Sequence, residues 1–163
     1  MIHYVNKEVD EKRHFFHVHT YEDDCKFQKG IEFDTKFYYR QFENYPKRWR
    51  EEAFEKVRRE RFSEYPSRYS CLFLSDSIEN AQYWAGKLRP RANNVQCVQV
   101  ELLSGKYIMV DEHIYDIQHF LNHDMIDEAL MYWRGVMTDD PLITLLFDGE
   151  FRIGEEFILN GKL

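Results

Sequence analysis

The stretch CLFLSDSIENAQYW, residues 71–84, decides the fold because it changes from one kind of secondary structure to another within three residues. Residues 71–74 are all apolar, which is typical of a buried strand. The small polar residues 75–77 end this run, and the Ser at the last of these positions suits the N-cap of a helix. Tyr83 and Trp84 then fall within the first turns of that helix. The stretch therefore predicts a buried strand, a polar turn and a helix that carries two large aromatic rings.

Other segments of the chain show strand or helix periodicity. Strands are predicted over residues 14–20, 67–75, 95–103, 106–111, 142–147 and 151–159, and helices over 46–64, 77–88 and 113–133. Helices separate the earlier strands, and strands cluster at the C-terminal end, which favours an α+β fold over a regular βαβ array. No Gly-, Ser- or Pro-rich linker interrupts residues 1–163, so we expect a single domain in which the polar residues 1–12 fray.

Composition sets the class of protein. The chain has 163 residues, enough for one ordinary domain with a real core. Its 13 Phe, 11 Tyr and 3 Trp exceed the needs of a minimal core, so some rings are expected to line a surface cleft. The net charge of −7 gives no overall attraction to nucleic acid or to an anionic membrane. No apolar run of about 18 residues exists to span a bilayer, so no membrane partner is expected.

The cysteines and the N-terminus indicate a cytoplasmic location. Cys25, Cys71 and Cys97 are odd in number and far apart, which fits buried thiols in a reducing compartment better than a disulfide framework. The first residues lack the basic and then apolar pattern of a secretory signal.

Common catalytic and metal-binding motifs are absent from the sequence. His119 and His123 are spaced by one helical turn, but two imidazoles alone are a weak zinc signal. No Ser or Cys lies in a recognised nucleophile motif, and no Gly-rich phosphate-binding loop is present. Residues 46–64 hold seven basic and five acidic side chains, which predicts a solvated helix face. Nucleic-acid contact through the Arg58–Arg68 region is the alternative interpretation of this stretch.

Three separated segments together resemble the ADP-ribosyltransferases of the His-Tyr-Glu type. FFHVHT, residues 15–20, resembles their first motif, a strand with a His followed two residues later by Ser or Thr. LFLSDSIENAQYW, residues 72–84, resembles the second motif, a strand and helix with an Ala-x-Tyr step. LITLLFDGEFRIGEEFIL, residues 142–159, resembles the last two strands, and the three segments follow the family order. The resemblance implies an α+β fold with mixed or antiparallel sheets, a cleft and flanking helices.

The resemblance also implies an NAD site. The family His binds the adenosine ribose, which assigns that role to His17, with His19 on the same strand face as the second candidate. The family Tyr stacks on nicotinamide, which assigns that role to Tyr83. Small side chains such as Ser75 would leave room for the ligand, and Phe73 or Trp84 would form the opposing wall.

A looser resemblance concerns PSRYSCLFLS, residues 66–75. Its Pro-Ser-Arg step recurs in small bacterial and phage-borne proteins of uncharacterised function that share this fold. It adds Arg68 to the candidate cofactor-binding residues.

The chain departs from the family at the catalytic Glu. That position falls on Thr144, or on Ile143 if the register slips by one, and neither residue is acidic. A nearby acid could substitute for it, and the candidates are Asp139, Asp140 and Glu150. A further register would place Glu155 or Glu156 at the family position but would leave almost no chain for a closing strand.

These residues predict an NAD-dependent mono-ADP-ribosyltransferase that modifies a macromolecular acceptor, as toxin and defence proteins do. The first alternative is a binding module for NAD or ADP-ribose that lacks catalysis, since the family Glu is replaced. The second alternative is a nucleic-acid-associated protein, although the net charge does not indicate one.

Overall fold

The computed structural model describes residues 1–22, 24–40, 46–92, 94–117 and 124–158. Within these ranges the chain forms six strands: β1 (His3–Tyr4), β2 (Phe15–Tyr21), β3 (Glu32–Asp34), β4 (Leu72–Ser75), β5 (Asn94–Asp111) and β6 (Ile143–Phe157). It also forms five α-helices: α1 (Lys7–Asp10), α2 (Arg48–Arg61), α3 (Ile78–Leu88), α4 (Glu112–Tyr115) and α5 (Ile126–Trp133). All strand pairings are antiparallel, so the predicted α+β class is confirmed.

Two long strands organise the sheet. β5 and β6 pair from Cys97 opposite Phe157 to Asp111 opposite Ile143. β2 and β1 pair with the two halves of β5, and β3 and β4 pair with the two halves of β6. Each long strand therefore belongs to two half-sheets, and apolar residues from both half-sheets pack into one buried core: Phe15, Leu72, Leu74, Val98, Val100, Leu145, Phe147 and Phe151.

A pair of glycines lets β5 and β6 bend without breaking. Gly105 lies opposite Gly149, with φ of 124° and 152°, values that disfavour other residues. A Cβ at either position would overlap the backbone of the other strand. The sequence predicted that each glycine separates two strands, one before it and one after it. The structure corrects this, because both strands continue through the bend and stay paired.

The helices cover the outer faces of the sheet. α2, α4 and α5 pack around a second core that contains Phe54, Tyr132, Trp133, Ile108 and Leu146. α3 packs on β2 and β5 through Ala81, which contacts Phe16 and Cys97. None of the described helices has the length and apolar character needed to cross a membrane.

Helix boundaries follow the sequence in two places and depart from it in a third. Ser77 caps α3 by accepting a hydrogen bond from the backbone N–H of Asn80, as predicted. The helix predicted over 46–64 is α2. The single helix predicted over 113–133 is wrong: α4 ends at Tyr115, and Met125, just before α5, has a left-handed φ of 62°.

The first residues are part of the fold. β1 pairs with β5 through His3 and Tyr4, and Asp10 in α1 is buried. The polar segment 1–12, expected to fray, forms these two elements.

Candidate active site

A cavity of about 420 Å³ opens between β2 and β4. β2 contributes residues 17–20 and β4 residues 72–75, while Trp84 and Leu88 of α3 cover one side. The β2–β4 pairing explains why space exists here. In the described part of the chain these strands share one backbone pair, Phe16 opposite Ser75, so they separate beyond it.

The cavity brings together six of the sequence-predicted site residues. His17, His19, Arg68, Phe73, Ser75 and Thr144 all line it, although they come from three segments far apart in the chain.

Four predicted site residues do not line the cavity, and one of them, Asp139, is exposed beside Asp140. Tyr83 lies on the outer side of α3, where it is 37% exposed and contacts Trp84 edge to face. Asp140 is exposed, and its carbonyl oxygen is 2.9 Å from His113 Nδ1. Glu150 is exposed on β6, opposite Ser104 and Asp34. The ring that covers this side of the cavity is therefore Trp84.

The structure also shows where the residues considered for the family Glu lie. Thr144 lies between Ser75 of β4 and Val110 of β5 and lines the cavity. Ile143 packs on the apolar core. Glu155 and Glu156 form surface ion pairs with lysines.

Both cavity histidines are neutral at pH 7. Burial lowers the pKa of His17 to about 3 and also lowers the pKa of His19. His17 Nδ1 is 2.8 Å from the carbonyl oxygen of Phe73. A carbonyl can only accept, so Nδ1 carries the proton. Nε2 of His17, which has no partner among the described residues, is left as a hydrogen-bond acceptor.

His19 has the opposite tautomer. Its Nε2 donates to the carbonyl oxygen of Cys25 at 2.9 Å, which leaves Nδ1 as the acceptor. Its ring stacks on Phe27 with centroids 3.9 Å apart. This stack holds the ring against the wall of the cavity.

A buried polar cluster closes the deep end of the cavity. We call it the Arg68 cluster; its members are Arg68, Glu51, Glu112, Tyr115 and Tyr132. Arg68 Nε donates to Glu51 Oε2 at 2.9 Å, and Arg68 Nη1 donates to Glu112 Oε1 at 2.6 Å. Burial alone would lower the pKa of Arg68, but the charges of Glu112 and Glu51 outweigh it and raise the pKa well above its usual value. One guanidinium thus faces two carboxylates.

Arg40 brings a second guanidinium to the cavity. Its Nη1 donates to the carbonyl oxygens of Arg68 and Cys71, at 3.2 and 2.5 Å. No carboxylate in the described part of the chain forms an ion pair with it. The guanidinium carbons of Arg40 and Arg68 lie 4.7 and 4.9 Å from the ring centre of Phe73. Phe73 is therefore engaged by two cations.

Two residues of the wall have a buried polar atom without a partner in the described part of the chain. They are Thr144 Oγ1 and Trp84 Nε1. Burying a polar group without a hydrogen bond costs about 1–3 kcal/mol. Both atoms have almost no exposed surface, so they do not face the open space of the cavity.

Sequence reasoning missed Arg40, Glu51 and Glu112. Glu51 lies in the helix that was predicted to expose its charged face to solvent, and Arg40 lies outside every predicted element and motif. Glu112 had a signal, because it directly follows a predicted buried strand that ends at Asp111. An acid at a strand end was the available clue.

Other catalytic chemistries find little support in the described residues. No group of three or more His, Cys, Asp or Glu there could hold a metal ion; His119 and His123 lie outside the described residues. Burial raises the pKa of Cys71 to about 12 and that of Cys97 to about 11, so neither is a thiolate at neutral pH.

The basic stretch considered for nucleic acid is largely engaged within the protein. Arg58 and Arg59 both pair with Glu55, and Arg68 belongs to the buried cluster.

The fold and site define an α+β protein with a ligand-sized cavity between two diverging strands. The chain belongs to the family described as "Protein of unknown function (DUF2441)", whose model matches residues 2–158. A search of curated proteins finds no match.

Proposed function

We propose that this protein binds NAD in the cavity and transfers its ADP-ribosyl group to a macromolecular acceptor, with release of nicotinamide. The observation that carries the proposal is the convergence of His17, Phe73, Ser75 and Thr144 on one cavity. These residues belong to the three separate segments that resemble the His-Tyr-Glu ADP-ribosyltransferases.

The chemistry of the walls suits a nucleotide that carries ribose and a flat ring. A ribose hydroxyl can donate to Nε2 of His17, which is a neutral acceptor on a rigid strand. Trp84 offers an aromatic surface. The volume of 420 Å³ lies within the range of about 300–1,000 Å³ usual for small-molecule sites. We assign the cavity to NAD, with the adenosine ribose beside His17 as the resemblance implies.

Arg40 supports an anionic ligand. Its guanidinium lines the cavity and has no carboxylate partner among the described residues. A phosphate of NAD would supply that partner through charge-assisted hydrogen bonds.

A non-catalytic module for NAD or ADP-ribose is the second candidate. It is favoured by Thr144, the non-acidic residue at the position to which the resemblance assigns the family Glu. Both carboxylates that do line the cavity, Glu51 and Glu112, are paired with Arg68. In this case the ligand would bind without being consumed.

Two measurements on the purified protein test these candidates. Calorimetry with NAD and with ADP-ribose measures binding, and His17→Ala should weaken it about tenfold, the effect of one lost hydrogen bond. His14→Ala is the matched control, because His14 is exposed and lies outside the cavity wall. Binding of neither ligand by folded wild-type protein would refute both candidates.

The second measurement separates transfer from binding. The protein is incubated with adenine-labelled NAD and a cell lysate, and transferred label and free nicotinamide are both quantified. Label on macromolecules with release of nicotinamide supports the transferase. Binding without either product supports the module.

A further inference from the structure

The missing acid is the starting point, because Thr144 leaves no carboxylate at the register where the resemblance expects one. Loss of nicotinamide creates positive charge at C1′ of the ribose, and enzymes that break glycosidic bonds stabilise such charge with carboxylates. An acid from a neighbouring element could serve if it reached the same cavity.

Glu112 comes from such a neighbouring element. Thr144 pairs with Val110, and Ile143 with Asp111, so the chain that leaves β5 runs beside the start of β6. The backbone N–H of Glu112 donates to the carbonyl oxygen of Leu142 at 3.0 Å, which fixes Glu112 beside that strand. Glu112 and Thr144 both line the cavity.

Hydrogen bonds distinguish Glu112 from the other cavity carboxylate. Both oxygens of Glu51 accept from Arg68, and Oε1 also accepts from Tyr115. Glu112 uses Oε1 alone, which accepts from Arg68 Nη1 and from the Tyr132 hydroxyl, each at 2.6 Å. Its Oε2 has no hydrogen-bond partner among the described residues. Unlike Thr144 Oγ1 and Trp84 Nε1, this atom is not fully buried. One oxygen is thus held rigidly while the other is open to a ligand.

We infer that Glu112 is the catalytic carboxylate of this protein and takes the place of the acid that Thr144 lacks; the inference rests on the proposed function. The donors on Oε1 orient the carboxylate, and Arg68 is shared between two acids, Glu51 and Glu112. Oε2 faces the ribose of NAD and stabilises the developing cation.

The reaction balances without any further reagent. The bond from C1′ to the nicotinamide nitrogen breaks, and its electron pair stays on nitrogen, which neutralises the pyridinium. An acceptor O–H or N–H, or water, then forms a bond to C1′ and releases its proton to solvent. With water the products are ADP-ribose, nicotinamide and one proton.

The experiment measures nicotinamide release and ADP-ribose affinity on one set of folded variants. Glu112→Gln should lower turnover about 100-fold or more, as when one preorganised electrostatic group is removed from an active site. Its affinity for ADP-ribose should stay within about threefold, since the shape is conserved. Glu55→Gln is the control, because Glu55 is also buried and paired with arginines but lies outside the cavity wall; its turnover should stay within about twofold. These ranges follow the usual separation of transition-state and ground-state effects.

Glu112→Asp keeps the charge and withdraws the carboxylate by one methylene, and it is used if Glu112→Gln does not fold. Its turnover should fall about tenfold or more, since small displacements of reacting groups are costly. A folded Gln or Asp variant with wild-type turnover overturns the inference while leaving the proposed function standing. Absence of nicotinamide release by the wild type overturns the proposed transfer itself, and the inference with it.

Discussion

Replacing Arg68 with Met removes the one cation of the Arg68 cluster and leaves two carboxylates buried without it. Glu51 is 2% exposed and Glu112 is 3% exposed, so neither can recover hydration without movement of the fold. Removing one partner of a buried ion pair costs about 3–5 kcal/mol. Two acids lose their partner here, so we expect the upper end of that range, which is a large share of the roughly 5–15 kcal/mol that stabilises a domain.

Urea unfolding at pH 7, followed by tryptophan fluorescence, measures this loss. Trp133 is a suitable probe because it is buried and donates to the carbonyl oxygen of Phe54. Arg59→Met is the control: Arg59 also pairs with a glutamate, Glu55, but its side chain is 72% exposed, so the change should cost no more than about 1 kcal/mol.

A combined variant tests the cause of the loss. Adding Glu51→Gln and Glu112→Gln to Arg68→Met removes the unpaired charges, so the triple variant should be more stable than Arg68→Met alone. A cost below about 1 kcal/mol for Arg68→Met, or a triple variant that is less stable still, would refute the electrostatic reasoning.

Three further predictions concern single positions. Gly149→Ala should destabilise the protein in urea by about 3 kcal/mol or more, because its Cβ would overlap the Ser104 backbone. Gly30→Ala is the control and should cost about 1 kcal/mol, because Gly30 has a φ of 88° but open space around it. Equal losses would argue against the close approach of β5 and β6 at Gly149. The free energy of unfolding should fall as pH drops from about 6.5 to 3, because His17 binds a proton in the unfolded chain but not in the native protein, where its pKa is about 3. His17→Gln should reduce this pH dependence in urea denaturation measured at pH 7 and 5. An unchanged pH dependence would contradict the burial of His17. Thr144→Val should raise stability by up to about 1 kcal/mol, since it removes a buried hydroxyl without a partner, whereas a loss above that size would mean the hydroxyl is bonded in the native state.

The sequence predicts the strand and helix around residues 71–84 well because local signals agree there. The apolar run, the Ser77 cap and the helical spacing all act within a few residues. Local signals did not predict the continuous strands β5 and β6. Gly105 and Gly149 read locally as breaks, and only their mutual approach across two strands turns them into a bend.

Prediction of the site divides in the same way. His17, Phe73 and Ser75 lie in motifs that a single segment reveals. Glu112 and Arg40 enter the cavity through contacts between segments far apart in the chain, which no local pattern encodes. The side of α3 that faces the cavity was also hard to predict, because Tyr83 and Trp84 are adjacent, about 100° apart around the helix, and local periodicity does not say which ring faces inward.

The separation of β2 and β4 has a mechanical consequence. Beyond the backbone pair of Phe16 and Ser75, the hydrogen bond from His17 Nδ1 to the carbonyl oxygen of Phe73 joins the edges of β2 and β4. A ligand bound in the cavity would add further contacts between β2 and β4. Slower amide exchange along both strands would then report that the cavity is occupied.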